Sequence, residues 1–214
     1  SASNDDDTIA WYENDGSENF TEHTITTAAD AAYSVATADV DGDGDMDVLS
    51  ASLLDDKIAW YENDGSESFT AHTITTAANA ARSVTTADVD GDGDGDMDVL
   101  SASANDDTIA WYENDGSENF TEHTVSTGAD YATSVTTADV DGDGDMDVLS
   151  ASAVDDTIAW YENDGSENFT EQTISTTADG AYSVSTAHVD GDGDMDVLSA
   201  SSNDDTIAWY ENDG

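Results

Sequence analysis

The 214-residue chain sets 51 acidic side chains against two basic ones, Lys57 and Arg82, for a formal net charge of −49. Nucleic acid is not expected as a partner and anionic membrane is a poor one for such a surface, because both need Lys and Arg to neutralise phosphate. There is no cysteine and no apolar run long enough to span a bilayer, so neither a disulfide framework nor membrane insertion is expected, and stability must come from packing or bound metal.

The chain opens on Ser1-Ala2-Ser3, without an initiating Met or a signal-type apolar core, in the middle of a repeat. This reads as a mature piece, or as a window of a longer protein. The motif Ile-Ala-Trp-Tyr-Glu-Asn-Asp-Gly then begins at Ile9. It occurs five times, with its tryptophan at Trp11, Trp60, Trp111, Trp160 and Trp209, at separations of 49, 51, 49 and 49 residues. The longer spacing comes from an extra Gly-Asp within residues 88–98. Repetition at this period is the first signal to read, and it outweighs the disorder that a strongly acidic composition would otherwise imply.

One complete unit shows the predicted elements in order. Residues 83–89 form a strand, and an Asp/Gly loop follows. Residues 97–103 form the next strand, residues 105–107 turn the chain, and residues 108–114 form a third strand. Residues 115–117 turn again, and residues 120–125 form the fourth strand. β-branched and aromatic enrichment with Asp-Gly punctuation supports each strand. In Ile109-Ala110-Trp111-Tyr112, Ile and Trp face one way and Ala and Tyr the other. Both faces are therefore apolar or small, as in a sheet packed between two neighbours. The predicted fold is all-β: a β-propeller-type array of four-stranded blades. The units expected are a partial blade at 1–33, blades at 34–82, 83–133 and 134–182, and a partial blade at 183–214. Residues 1–16 and 199–214 are near copies, so the last piece either completes the first blade or pairs with another copy of the chain through its unpaired strands.

The loop between the first two strands of each unit carries the chemistry. In Asp39-Val40-Asp41-Gly42-Asp43-Gly44-Asp45-Met46-Asp47 a carboxylate stands at every second residue, with glycines where the backbone must turn. Converging carboxylates suit a hard cation with many oxygen ligands. Ca²⁺ fits best, Mg²⁺ less well because it keeps its waters, and soft metals lack cysteine and histidine ligands. The second loop offers Asp88, Asp90, Asp92, Asp94, Asp96 and Asp98, one more than the task needs. The third repeats the first, with Asp139, Asp141, Asp143, Asp145 and Asp147. The fourth has Asp190, Asp192, Asp194 and Asp196, with His188 at its first position, and is expected to bind most weakly of about four Ca²⁺ sites.

These loops, joined to Ile-Ala-Trp-Tyr-Glu-Asn-Asp-Gly, resemble the FG-GAP/VCBS repeats of extracellular proteins, a group similar to integrin α-subunit propellers and to fungal and bacterial lectins. The resemblance implies loops that hold Ca²⁺ through side chains at positions one, three, five and nine and through the backbone carbonyl at seven. In the first loop these are Asp39, Asp41, Asp43 and Asp47, with Asp45 acting through its carbonyl. It also implies a secreted or cell-surface location.

His23, His72 and His123 share one repeat position, taken by Gln172 in the fourth copy, and read as surface residues of an outer strand. The recurring tryptophans read as core between blades. Asn19, Asn119 and Asn168 head Asn-Phe-Thr acceptor sequons for N-glycosylation. No nucleophile with a paired base stands out, so an enzyme is not expected. The expected function is an extracellular, calcium-binding structural repeat protein, adhesive or fibre-forming; the alternative is a calcium-dependent lectin with glycans as partners.

Overall fold

A computed structural model of the chain describes residues 1–91 and 95–214. Among these the fold is all-β, with no helix and five antiparallel sheets that follow one another along the chain. The first sheet is β1 (Ala2–Ser3), β2 (Thr8–Asn14) and β3 (Phe20–Thr26). The second is β4 (Ala32–Ala38), β5 (Asp47–Ser52), β6 (Lys57–Asn63) and β7 (Phe69–Thr75). The third is β8 (Ala81–Ala87), β9 (Asp98–Ser103), β10 (Thr108–Asn114) and β11 (Phe120–Ser126). The fourth is β12 (Ala132–Ala138), β13 (Asp147–Ser152), β14 (Thr157–Asn163) and β15 (Phe169–Ser175). The fifth is β16 (Ala181–Ala187), β17 (Asp196–Ser201) and β18 (Thr206–Tyr210). Each full sheet is a simple up-and-down meander. The expected strand 108–114 matches β10, while the first strands begin two residues ahead of the unit boundaries drawn from sequence.

The core lies between sheets, and one pattern builds every interface. Leu49, Ile58 and Trp60 of the second sheet meet Val84, Val99, Ala110 and Tyr112 of the third. Leu100, Ile109 and Trp111 of the third meet Val135, Val148, Ala159 and Tyr161 of the fourth. Leu149 and Ile158 meet Val184 and Val197 in the same way, and Ile9 of the first sheet packs on Ala59 and Tyr61 of the second. The two-sided apolar alternation of the third strand is the cause. Its Ile/Trp face serves the next sheet and its Ala/Tyr face the previous one. The expected core role of tryptophan holds at Trp60 and Trp111, both fully buried.

Turns tie neighbouring sheets by side-chain hydrogen bonds. Asp56 sits at φ 54° in the turn before its own β6, and its carboxylate accepts from the Ala80 N–H at 2.9 Å, at the entry to β8. Asp107 and Asp156 do the same for Tyr131 and Gly180. In the Asn-Asp-Gly turn at 114–116 a glycine is required twice over. Gly116 has φ 70°, and a Cβ there would collide with the Asp96 carboxylate.

The sheets do not close on each other. β1–β3 and β16–β18 remain separate three-stranded sheets, so the last piece does not complete the first within the chain.

Candidate metal centre

Each Asp/Gly loop is anchored at its last aspartate. The fully buried Asp47 carboxylate accepts from the Val40 N–H at 3.0 Å and from the Asn63 N–H at 2.8 Å. It thereby joins the loop to the third strand of the same sheet. Asp98, Asp147 and Asp196 repeat the pair of bonds with Val89 and Asn114, Val140 and Asn163, and Val189 and Asn212. A neighbouring sheet then locks the loop from outside. The Asn114 amide donates to the Val40 carbonyl at 2.9 Å, Asn163 to Val89 at 3.1 Å and Asn212 to Val140 at 2.8 Å.

Burial raises the carboxyls of Asp98 and Asp147 above the usual carboxylate range, against the lowering effect of their two backbone N–H donors. Asp196 keeps the same two bonds in the one sheet with no successor packed on it. There the hydrogen bonds prevail, and its carboxyl falls below that range.

Among the described residues, two loops bring carboxylates together. Asp39, Asp41 and Asp43 offer oxygens within 4.8 Å of one another, as do Asp139, Asp141 and Asp147. Desolvation first, and then the neighbouring charges, push Asp41 and Asp141 up. One Asp39 oxygen, Oδ1, is buried without a hydrogen-bond partner, while Oδ2 accepts from Gly44 N–H at 3.0 Å. A buried anionic oxygen with no donor is what a cation ligand presents before the ion arrives. The donor set is all oxygen, so it fits Ca²⁺ and does not fit a soft metal.

The remaining expected residues fall into distinct places. Asp45, Asp145 and Asp194 lie with their carboxylates over Gly65, Gly165 and Gly214 of the Asn-Asp-Gly turns, away from the clusters. Asp143 and Asp43 accept from the N–H two residues on, at 2.9 Å in each case, and so shape the loop. In the second loop Asp88 accepts from Gly91, and Asp96 lies over Gly116. Asp92 and Asp94 lie outside the described residues. In the fourth loop Asp190 and Asp192 make the same short-range bonds. His188 faces the Asp194 carbonyl, with Nδ1 at 2.8 Å from the oxygen. The imidazole N–H thus occupies the carbonyl corresponding to Asp45, and no carboxylate cluster forms there among the described residues.

Asn19, Asn119 and Asn168 are exposed in turns, and each side-chain amide donates to an aspartate four residues back: Asp15, Asp115 or Asp164. The histidines are more than surface residues. His23, His72 and His123 stack on Trp11, Trp60 and Trp111 with centroids 4.3, 4.5 and 4.5 Å apart, and their Nε2 atoms lie 3.2, 2.8 and 2.8 Å from Glu13, Glu62 and Glu113.

A second grouping was not evident in the sequence. Arg82 lies between the rings of Tyr33 and Tyr131, 5.0 and 4.7 Å from their centroids, and donates to both hydroxyls. The Tyr33 hydroxyl also meets that of Tyr182. Positions 33, 82 and 182 are equivalent, and they are among the few places where the repeats differ. That divergence was the available signal. Beside the third and fourth loops, a cavity of about 460 Å³ opens between the fourth and fifth sheets, lined by Thr137, Asp139, Met146, Thr186, His188 and Met195 among others.

Fold and loops together define an all-β repeat protein whose sheets are pinned at one end by acidic loops. The FG-GAP-like repeat pattern matches residues 1–50, 50–94, 92–150 and 139–199, and the chain belongs to that family. Among curated proteins, none matches the sequence. Among solved structures, an Agrocybe aegerita lectin with specific recognition of non-reducing terminal N-acetylglucosamine is similar. It has 18% identity and a TM-score of 0.61, over 91% of this chain and 56% of that one. The Vibrio cholerae biofilm matrix protein Bap1 aligns at 24% identity and a TM-score of 0.57, over 94% of this chain and 29% of its own. The Aleuria aurantia lectin, solved with Fucα1-6GlcNAc, aligns at 12% identity and 0.56, over 97% and 72%. At such identities the likeness concerns the fold. The chain spans little more than half of the first of these proteins. Among the described residues no helix is long and apolar enough to cross a membrane.

Proposed function

We propose that the chain is a calcium-pinned, secreted or cell-surface repeat scaffold with an adhesive or fibre-forming role, its sheets forming an arc of a propeller-type ring. The observation that carries this reading is the convergence of Asp39, Asp41 and Asp43, and of Asp139, Asp141 and Asp147, at loops that knit a sheet together. Each ion would bridge the strands on either side of its loop and remove two charges from a chain at −49. Sites of this kind fill in millimolar extracellular Ca²⁺. The similarity to a biofilm matrix protein supports an adhesive setting. No catalytic step is assigned to the chain. Calorimetric titration of the chelator-stripped protein tests the reading: Ca²⁺ should bind at two or more sites and raise the melting temperature. The absence of saturable binding at millimolar Ca²⁺ would overturn it.

A second reading is a calcium-dependent lectin. It rests on the cavity between the fourth and fifth sheets, which is lined by Thr137, Thr186 and Asp139 among others and is large enough for a monosaccharide or disaccharide. A glycan array with and without chelator separates the two readings. Specific, chelator-sensitive sugar binding selects the lectin.

A further inference from the structure

The chain has two bases, and among the described residues only one of them meets a carboxylate. The ion pairs there are Lys57 with Asp55 and the three His–Glu pairs. Arg82 has none, although the chain carries 51 acidic side chains. Its partners are neutral. The guanidinium lies between the rings of Tyr33 and Tyr131, and donates through Nη1 to the Tyr33 hydroxyl at 3.1 Å and through Nη2 to the Tyr131 hydroxyl at 2.6 Å. Its Nε is buried with no hydrogen-bond partner. A charged N–H left in this way is an unmet demand for an acceptor, above all for an anionic one.

Four successive sheets assemble the group, each at the start of its first strand. Tyr33, Arg82 and Tyr182 occupy one repeat position, in β4, β8 and β16. These strands and β12 are tied in series by hydrogen bonds from the Val84, Val135 and Val184 N–H groups to the Oγ atoms of Ser34, Ser83 and Ser134. The Tyr33 and Tyr182 hydroxyls meet, so the first and last of these strands bring their side chains to one point. The third repeat is built differently. Thr133 stands at the shared position, is buried, and turns its hydroxyl to the Ala151 and Ala181 carbonyls, 3.0 Å from each. Tyr131, two residues earlier, supplies the ring that faces Arg82. It does so at φ 61°, where the equivalent residues are Ala31, Ala80 and Gly180. A bulky side chain is strained in that left-handed region, and strain of this kind gathers at ligand clamps. Tyr182 is 45% exposed and the other three are half-buried, so the group is open to solvent.

We propose that Arg82, with Tyr33, Tyr131 and Tyr182, binds the carboxylate of an acidic sugar, a hexuronate unit of a glycan. The guanidinium N–H groups left over, Nε and one on each terminal nitrogen, offer the charge-assisted fork that a carboxylate takes. The tyrosine hydroxyls both donate and accept, as recognition of sugar hydroxyls requires. The exposed Tyr182 ring adds an apolar surface for the C–H face of a pyranose. The site stands at the opposite end of the first strands from the Asp/Gly loops. Each of these strands spans 7 residues, so the two ends are roughly 20 Å apart. The inference goes beyond both readings above, because it uses no metal and no residue of the cavity between the fourth and fifth sheets. The chain's charge of −49 opposes an anion at long range. Salt screens that repulsion, and screens a part-buried pair much less.

Saturation-transfer NMR of the whole chain, titrated with methyl β-glucuronide in chelator, tests the site. The titration is run in about 1 M NaCl, where the screening length is about 3 Å. Chelator separates the outcome from calcium binding and from the calcium-dependent lectin. The glucuronide should bind saturably. Methyl β-glucoside, which lacks the carboxylate, should bind about tenfold more weakly or worse. Arg82→Thr places the third repeat's residue at the shared position. It should bring the glucuronide down to the level of the glucoside, with the fold checked by urea denaturation. Should that variant fail to fold, Arg82→Lys keeps the charge without the fork and should lose the same discrimination. Tyr182→Ala spares the contacts of Arg82 with Tyr33 and Tyr131 and should weaken glucuronide binding severalfold. The absence of saturable binding, equal binding of the two glycosides, or an unchanged titration of the folded Arg82 variant overturns the proposal. So does binding of N-acetylglycine as tight as that of the glucuronide, since it would assign the site to a peptide carboxylate.

Discussion

Asp147 shows how one carboxylate can serve both stability and a candidate metal site. Its two oxygens satisfy the Val140 and Asn163 N–H groups in a buried setting, and it also belongs to a cluster with Asp139 and Asp141. Asp147→Ala strands two buried donors, each costing about 1–3 kcal/mol. Urea denaturation should show a loss of about 3 kcal/mol, measured in chelator so that metal does not contribute. Tyr112 gives a pH prediction. Burial, opposed by its hydroxyl contact with Ser101, pushes its phenol from 10.0 up to about 12. The protonated phenol is favoured in the folded state, so its contribution is intact below pH 10 and lost as pH climbs through about 12. Tyr112→Phe should flatten the fall in melting temperature across that window; an unchanged alkaline profile would show that Tyr112 does not drive it. The recurrence of Asp147 and Tyr112 in every unit was legible in the sequence. Which oxygen meets which N–H was not, because the donors are 7 and 16 residues away along the chain.

At the scale of the loop, the fourth copy is the informative one. His188 donates to the Asp194 carbonyl, so a hydrogen bond closes a loop that carboxylates surround in the first and third copies. His188→Asp removes that donor and restores the repeat pattern. Calorimetry should then show one added or clearly tightened Ca²⁺ site, and an unchanged isotherm would reject the assignment. The anomaly was visible in the sequence as a single substitution at a regular position. Its consequence, a carbonyl already engaged, appears only once the loop is folded. The Trp–His–Glu stacks make the same point. The alternation of β10 places Trp111 and Glu113 on one face, but only the register of β11 sets His123 opposite Trp111.

For the whole molecule, charge dominates. With 51 acids against two bases, self-repulsion opposes the compact state at low ionic strength. Raising NaCl from about 0.05 M to 1 M cuts the screening length severalfold. We expect a gain of about 3 kcal/mol, which in a chain of this size raises Tm by about 6–12 °C. A scanning-calorimetry Tm that falls or stays level would show that the carboxylates are neutralised in some other way. The open end faces belong to this scale too. Ile207 is 77% exposed and Trp209 45% exposed, while Ile109 and Trp111, at the same repeat positions, are fully buried.

The 49-residue period, the four strands per unit, the two-faced third strand and the acidic loops could all be read directly, because each is a local pattern repeated in near-identical copies. Repetition makes a local signal robust, and it also hides whatever depends on position within the array. Equivalent residues such as Leu149 and Leu198 are indistinguishable as letters, yet one is sealed and the other lines a groove. Only the tertiary structure decided that the end sheets stay apart, that Arg82 is held between Tyr33 and Tyr131, and that, among the described residues, two of the loops gather their carboxylates. The reason is that each of these depends on which sheet lies next to which, a relation set by packing between units about fifty residues apart and not by any pattern within one of them.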